Sequence, residues 1–295
     1  MAWQLRLIEL YIKVSDLWEQ GVWTSVQRFS NHDTYPLSDQ EAVAIYIFGV
    51  MNGHFNVKSI YNFTDKFLNG WFPNLGKYES YLHRINKISA SFIAIIDYLV
   101  EDLEQLFPID SSRKLLDSMP IMMANNQRSS SAKVALEIAD KGYCDTKKTY
   151  YHGVKLHMIG NDRDFTIPTP NIIGITPASC HDLTAFKMIA HEFHECNIFM
   201  DKAYLDSSLQ RTLRQENQVI CAIPVKLKKG QKILDSADKL YSTAVSRVRQ
   251  PIESLFNWLN EKTGIQKASK VRSSKGLMVH IFGKLAAGIM VMLNF

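Results

Sequence analysis

Cysteine is scarce in this chain, with four in 295 residues. Cys144, Cys180, Cys196 and Cys221 show no paired spacing, which favours reduced thiols over a zinc knuckle or a disulfide framework. Long apolar runs are missing too. The longest, Leu285 to Leu293, falls far short of the roughly 20 residues that span a bilayer, so no membrane partner is expected. The opening Met1-Ala2-Trp3-Gln4-Leu5-Arg6 has no charged segment leading into an apolar core, and Glu9 and Asp16 interrupt the residues after it. No signal peptide is read there, and a soluble cytoplasmic protein is expected. There is no internal repeat and no HExxH metalloprotease signature. An apolar fraction of 46% excludes wholesale disorder.

What is present is uneven. The net charge is +5, yet between Lys226 and Lys284 thirteen Lys/Arg face four Asp/Glu, a balance of +9 that leaves −4 for the rest. A basic C-terminal third fits a polyanionic partner, or else a solvated lysine-rich face.

The first third reads as helices. Trp3, Leu7, Leu10, Val14 and Leu17 share one side of a helix over residues 2–20, which Gly21 ends. Ser38 and Glu41 form a capping box ahead of Ala42–Val50, and Val57, Ile60 and Thr64 mark a third helix. A long amphipathic helix is predicted from Lys77 to about Leu106. Tyr81, Ile85, Ile88, Phe92 and Ile95 lie on its apolar arc, with Lys77, Ser80, Arg84 and Lys87 beside them. Those polar residues either touch DNA phosphates, as in a helix-turn-helix module, or form the wet edge of a bundle.

After Phe107-Pro108 the periodicity changes. Strands are predicted over Leu115–Ala124, Tyr150–Ile159 and Phe165–Ile175, and residues 125–149 read as a polar loop. Helix 182–194, strand 197–200, helix 207–217, strand 219–224 and a long helix after Tyr241 complete a mixed α/β pattern. The expected division is a helical domain over 1–110 and a catalytic domain over 111–295 with a basic, helical C-terminal part.

Three carboxylates stand out. Asp201 ends the apolar run Asn197–Met200, as a buried strand delivers a carboxylate to the end of a sheet. Asp117 interrupts a second apolar run, and Glu253 lies on a helix whose stripe is Ile252, Leu255, Phe256 and Leu259. Carboxylates on three rigid elements suit a two-metal site for phosphoryl transfer, with Mg²⁺ ions roughly 4 Å apart on hard oxygen ligands. Singly, each is more often a cap or a surface group. Arg249, one turn before Glu253, shares its face and can clamp a phosphate. Lys155 meets either phosphate or solvent. His181-Asp182 with His191 and His194 is a conceivable zinc site, and otherwise a set of surface histidines with Asp182 capping a helix.

The order of Leu115-Leu116-Asp117-Ser118-Met119-Pro120-Ile121, His152-Gly153-Val154-Lys155-Leu156-His157, Thr176-Pro177-Ala178-Ser179-Cys180-His181-Asp182, Met200-Asp201-Lys202-Ala203-Tyr204 and Arg249 ahead of Glu253 resembles the DDE transposases of bacterial insertion sequences. The resemblance is closest to the insertion-sequence family numbered nine-eight-two, and it runs from about Leu115 to the C-terminus. It implies an RNase-H-like α/β domain, with a mixed five-stranded sheet flanked by helices, after an all-α N-terminal domain. It implies two Mg²⁺ ions, replaceable by Mn²⁺, on Asp117, Asp201 and Glu253. Arg249, Lys155, Lys202, Lys262 and Arg84 are the expected DNA contacts. The implied partners are double-stranded DNA, as terminal inverted repeats and target, and a second copy of the chain. The implied location is the bacterial cytoplasm at the nucleoid. The chain departs from related transposases at Ser246, where a tyrosine is frequent, and at Asn260, where some have a lysine. A nuclease that cleaves without strand transfer, or a DNA-binding protein without catalysis, are the alternatives.

Overall fold

The computed structural model describes residues 2–26, 36–227 and 230–295, so Lys228 and Lys229 of the basic stretch lie outside the described residues. The chain packs as two compact units. One comprises Met1–Leu106, Lys133–Glu137 and Leu259–Phe295, the other Phe107–Ala132 and Ile138–Trp258.

The first unit opens with helices α1 (Trp3–Gln20), α2 (Asp39–Met51), α3 (Val57–Phe67), α4 (Tyr78–Lys87) and α5 (Ser91–Leu106). The capping box forms as expected. The Ser38 hydroxyl accepts the Glu41 amide at 3.1 Å, and the Glu41 carboxylate accepts the Ser38 amide at 2.6 Å. Every residue from Ala42 to Val50 is buried, which makes α2 the core of this unit. The single helix predicted over Lys77–Leu106 is two helices, broken at Ile88–Ala90. The apolar spacing of Tyr81, Ile85, Ile88 and Phe92 runs through the break without missing a step, so periodicity does not reveal it. The Ser91 hydroxyl donates to the Ile88 carbonyl at 2.7 Å, satisfying an acceptor that the helix end leaves open.

The second unit contains β1 (Asp110–Asn125), α6 (Asn126–Ser129), β2 (Asp140–Cys144), β3 (Thr149–Asp162), β4 (Thr169–Pro177), α7 (Asp182–Ile189), β5 (Asn197–Phe199), α8 (Ser207–Glu216), β6 (Ile220–Ala222) and most of α9 (Ser236–Thr263). The sheet runs β2-β3-β1-β5-β6, with β4 also paired to β3. Because β2 takes the outer edge of β3 along Thr149–Gly153 and β4 along Val154–Asn161, six strands fill five ranks. β1 is antiparallel to β3 and parallel to β5, and β5 is parallel to β6. This is the mixed α/β sheet, flanked by helices, of the RNase-H-like kind.

The structure differs from two expectations. Residues 125–149 are not all loop, since they hold α6 and β2. Asp-Lys-Gly-Tyr-Cys has no apolar alternation, and β2 exists through backbone pairing with β3 at a sheet edge. The third long strand begins at Thr169, not Phe165, because Phe165 has φ 61° and is fully exposed in a turn.

Gly153 of the His152–His157 motif has a structural role. It faces a bulge, where Met122 pairs with Gly153 and Ala124 with His152. A Cβ at Gly153 would lie 2.0 Å from the Ile121 carbonyl oxygen. Gly153→Ala is therefore expected to destabilise the protein by about 2–4 kcal/mol, read as a lowered denaturant midpoint. An unchanged midpoint would show that the bulge yields.

The chain ends in α10 (Ser274–Met278), a π-helical turn (Val279–Gly283) and α11 (Lys284–Met292). Together Ser274–Met292 is the one stretch among the described residues long and apolar enough to cross a membrane, and 72% of it is buried inside the protein. Leu285 through Met290 are all buried, and α11 packs against α2 and α5. The expected assignment of all of 111–295 to one catalytic domain thus differs from the packing, which joins Leu259–Phe295 to the helical unit. An apolar helix buried on every side needs helices around it, and α2 and α5 provide them.

Candidate active site

The parallel pairing of β1 with β5 builds the base of the site. Arg113, Lys114 and Leu115 stand opposite Asn197, Ile198 and Phe199. The offset is 84 residues at each pair, and Asp117 and Asp201 have the same offset. The recorded pairing ends at Leu115 and Phe199, two residues before each aspartate, so Asp117 continues along β1 while Asp201 lies just past the end of β5. The Met200 amide still donates to the Ala222 carbonyl, so the chain holds its strand course up to Asp201. Asp201 then opens the short turn Lys202–Tyr204 without a side-chain cap bond to it.

Helix α9 supplies the other side. Ile252, Leu255 and Phe256 are buried, which turns the face with Arg249 and Glu253 toward the aspartates. Arg249 Nη1 donates to Asp117 Oδ2 at 2.7 Å, and Nη2 donates to Glu253 Oε1. Arg249 Nε is buried and has no hydrogen-bond partner among the described residues. The Ser118 amide donates to the other Asp117 oxygen at 2.8 Å.

Charge and burial oppose each other here. Burial pushes the Asp117 carboxyl up to about 6, although Arg249 and the Ser118 amide favour its charged form. Glu253 and Asp201 raise it further by repulsion. Burial also works against the Arg249 charge, but Asp117, Glu253 and Asp201 outweigh it and hold Arg249 above its ordinary value. The three carboxylates thus act on one guanidinium. A groove of about 510 Å³ adjoins them along α9, lined by Lys239, Ser242, Thr243, Arg247 and Arg249.

The other expected contacts fare differently. Lys202 is half-buried directly after Asp201, and Lys262 is exposed further along α9, 3.9 Å from Glu261. Lys155 and Arg84 are turned inward, contrary to their expected place at a DNA surface. Arg84 is 9% exposed and bonds Asp39 at 2.9 Å. Lys155 donates to the Cys180 carbonyl at 2.8 Å and to Asp182 at 3.1 Å. The Ser118 hydroxyl donates to the same Asp182 oxygen at 3.0 Å. Ser118 alternates with Asp117 along β1, so this network lies on the opposite face of the sheet.

Asp182 does not cap α7, since the N-cap is His181 and makes no side-chain bond. Asp182 instead pins the start of α7 to the back of β1, a role that the residue pattern alone did not suggest. Its signal was the period-2 placement of Lys155 on the strand ahead of a His-Asp pair. His194 Nδ1 faces the Asn217 amide at 3.3 Å, and the alternative zinc reading finds no cluster among the described residues.

A divalent ion fits the donor chemistry of Asp117, Asp201 and Glu253, which are hard oxygen ligands on rigid elements. The Arg249 guanidinium lies between Asp117 and Glu253, and among the described residues no three His, Cys, Asp or Glu side chains gather closely enough to share one ion.

The fold is RNase-H-like, and in it a carboxylate on β1, Asp117, meets Arg249 and Glu253 of one helix through the arginine. The family described as the transposase DDE domain matches residues 110–289, more than half of the chain. The chain belongs to the transposase DDE domain family. No curated protein and no solved structure matches it.

Proposed function

We propose that this protein is the transposase of a bacterial insertion sequence, in the family numbered nine-eight-two, acting from the cytoplasm on the nucleoid. The observation that supports the reading is Arg249 of α9 bonded at once to Asp117 on β1 and to Glu253, with Asp201 at the end of the strand that pairs parallel to β1. Asp117, Asp201 and Glu253 would hold two Mg²⁺ ions, or Mn²⁺ in their place. When bound, such ions supply Lewis-acid stabilisation of the phosphate and an activated oxygen nucleophile.

The chain's own residues do the rest. The groove along α9 takes a DNA strand, since Lys239, Arg247 and Arg249 present cations beside Ser242 and Thr243 hydroxyls. From Lys239 to Glu253 the helix advances about 21 Å, roughly six nucleotide steps. Arg249 clamps the phosphate nearest the carboxylates. Water adds to that phosphorus at the element's end and the bond to the 3′ oxygen breaks, which leaves a free 3′ hydroxyl. That hydroxyl then attacks a target phosphodiester, forming one P–O bond as another breaks. No covalent protein–DNA intermediate is required. Two ends must be joined, so a homodimer on DNA is part of the proposal. So is DNA binding by residues 1–110 and by the basic C-terminal region, while residues 111–295 carry the catalytic function.

The test is a labelled duplex carrying the repeat that flanks the protein's own coding sequence, incubated with protein, Mg²⁺ or Mn²⁺, and a target plasmid. Nicking at the repeat end followed by joining is the expected result. Nicking without joining identifies a nuclease, and binding with neither identifies a DNA-binding protein.

A further inference from the structure

Arg249 stands where a cation is needed. It bonds Asp117 and Glu253 at once, its charge is sustained also by Asp201, and its buried Nε makes no bond in return. Three carboxylates carry three negative charges and Arg249 one positive. One divalent ion together with Arg249 balances that set. A second divalent ion leaves an excess of two positive charges, which only an incoming anion relieves. The guanidinium and a second ion therefore compete for Asp117 and Glu253, in a partly dehydrated site where charge interactions are strong.

α9 contains a provision for movement at this point. Pro251 lies between Arg249 and Glu253 and has no amide hydrogen, so the Arg247 carbonyl receives no helical bond. At that turn the helix has one backbone hydrogen bond fewer to resist bending. A DNA phosphate in the α9 groove offers the guanidinium a bidentate partner as good as the carboxylates it leaves.

We propose that Arg249 is a gate between DNA and metal: without DNA its guanidinium holds Asp117 and Glu253, and a DNA phosphate that draws it off opens these carboxylates to the second divalent ion. The protein thereby assembles its full charge only on substrate, and metal and DNA affinities rise together, as reciprocal linkage demands. The inference rests on the proposed carboxylate centre.

The experiment measures Mn²⁺ binding by electron paramagnetic resonance to the full chain, with and without a blunt duplex oligonucleotide. The proteins are wild type, Arg249→Gln, Arg249→Lys and Asp201→Asn, each checked for native circular dichroism. Duplex is expected to tighten Mn²⁺ binding by wild type about 5- to 150-fold. Arg249→Gln is expected to bind Mn²⁺ more tightly than wild type without duplex and to gain less from duplex, because two ions then leave one excess positive charge instead of two. Arg249→Lys, with one charge but no fork to bridge both carboxylates, should fall between. Equal tightening by duplex in wild type and Arg249→Gln overturns the gate, as does Arg249→Gln binding Mn²⁺ no better than wild type. Mn²⁺ binding untouched by Asp201→Asn overturns the carboxylate centre itself, and the gate with it. Should Arg249→Gln not fold, the duplex effect on wild type decides, and its absence overturns the proposal.

Discussion

Asp201→Asn is expected to lower metal-dependent nicking by roughly 10³-fold or more, the scale on which single members of a jointly acting set fail. DNA binding is expected to stay at its wild-type level. Asp201 comes two residues after the end of β5 and makes no cap bond to the turn it opens. Asparagine has the same shape and fits the same backbone, so stability should move by no more than about 0.5 kcal/mol. What it loses is charge. Nicking rates at saturating Mg²⁺ and a gel-shift titration on the same protein separate the two effects. A variant that nicks like wild type would remove Asp201 from the centre. One that neither nicks nor binds would make Asp201 part of the DNA surface instead.

That expectation depends on two strands, and both strands were legible in the sequence. Asn197–Met200 reads as a buried strand ending in an aspartate, and Leu115–Ala124 as a strand carrying another. Their neighbourhood, however, is a property of pairing, which no local pattern states. The Arg249–Glu253 turn was legible as a helix face, because residues one turn apart share a side. That the arginine bonds Asp117 as well was not, since the bond spans 132 residues. The inward turn of Lys155 and Arg84 was invisible for a related reason. A lysine on a strand or an arginine on a helix arc looks the same whether its partner is water, phosphate or a distant aspartate. β2 escaped because an edge strand needs backbone pairing rather than apolar alternation. The break between α4 and α5 escaped because the apolar stripe crosses it unbroken.

The C-terminal helices hold the second large effect. Lys284 has no exposed surface, and its Nζ donates to the Gly264 carbonyl at 3.0 Å and lies 5.5 Å from the Phe55 ring centroid. His280, one turn earlier, pairs its Nε2 with the Ile265 carbonyl at 2.7 Å. Burial drives the Lys284 ammonium from its ordinary 10.5 down to about 7, and the His280 imidazole to about 3, with Lys284 adding to the latter by repulsion. Between about pH 7 and 10.5 the unfolded chain binds a proton at Lys284 that the folded chain does not. Stability therefore rises with pH across that window, and below it the full cost of a buried ammonium is present. At about 1.4 kcal/mol per pH unit, the upper limit of that cost is about 5 kcal/mol. His280 acts in the same sense at lower pH, since the unfolded chain takes its proton below about 6.5 and the folded chain only near 3.

Lys284→Met keeps an unbranched side chain, removes the charge and gives up the Gly264 bond, which is worth about 1 kcal/mol. The variant is expected to be more stable than wild type by a few kcal/mol at pH 6, with the gain vanishing as pH approaches 10. Urea midpoints of both proteins at the two pH values decide it. An equal gain at both means that Lys284 does not titrate in this window. A loss at pH 6 means that the Gly264 carbonyl and the Phe55 ring compensate the buried charge in full.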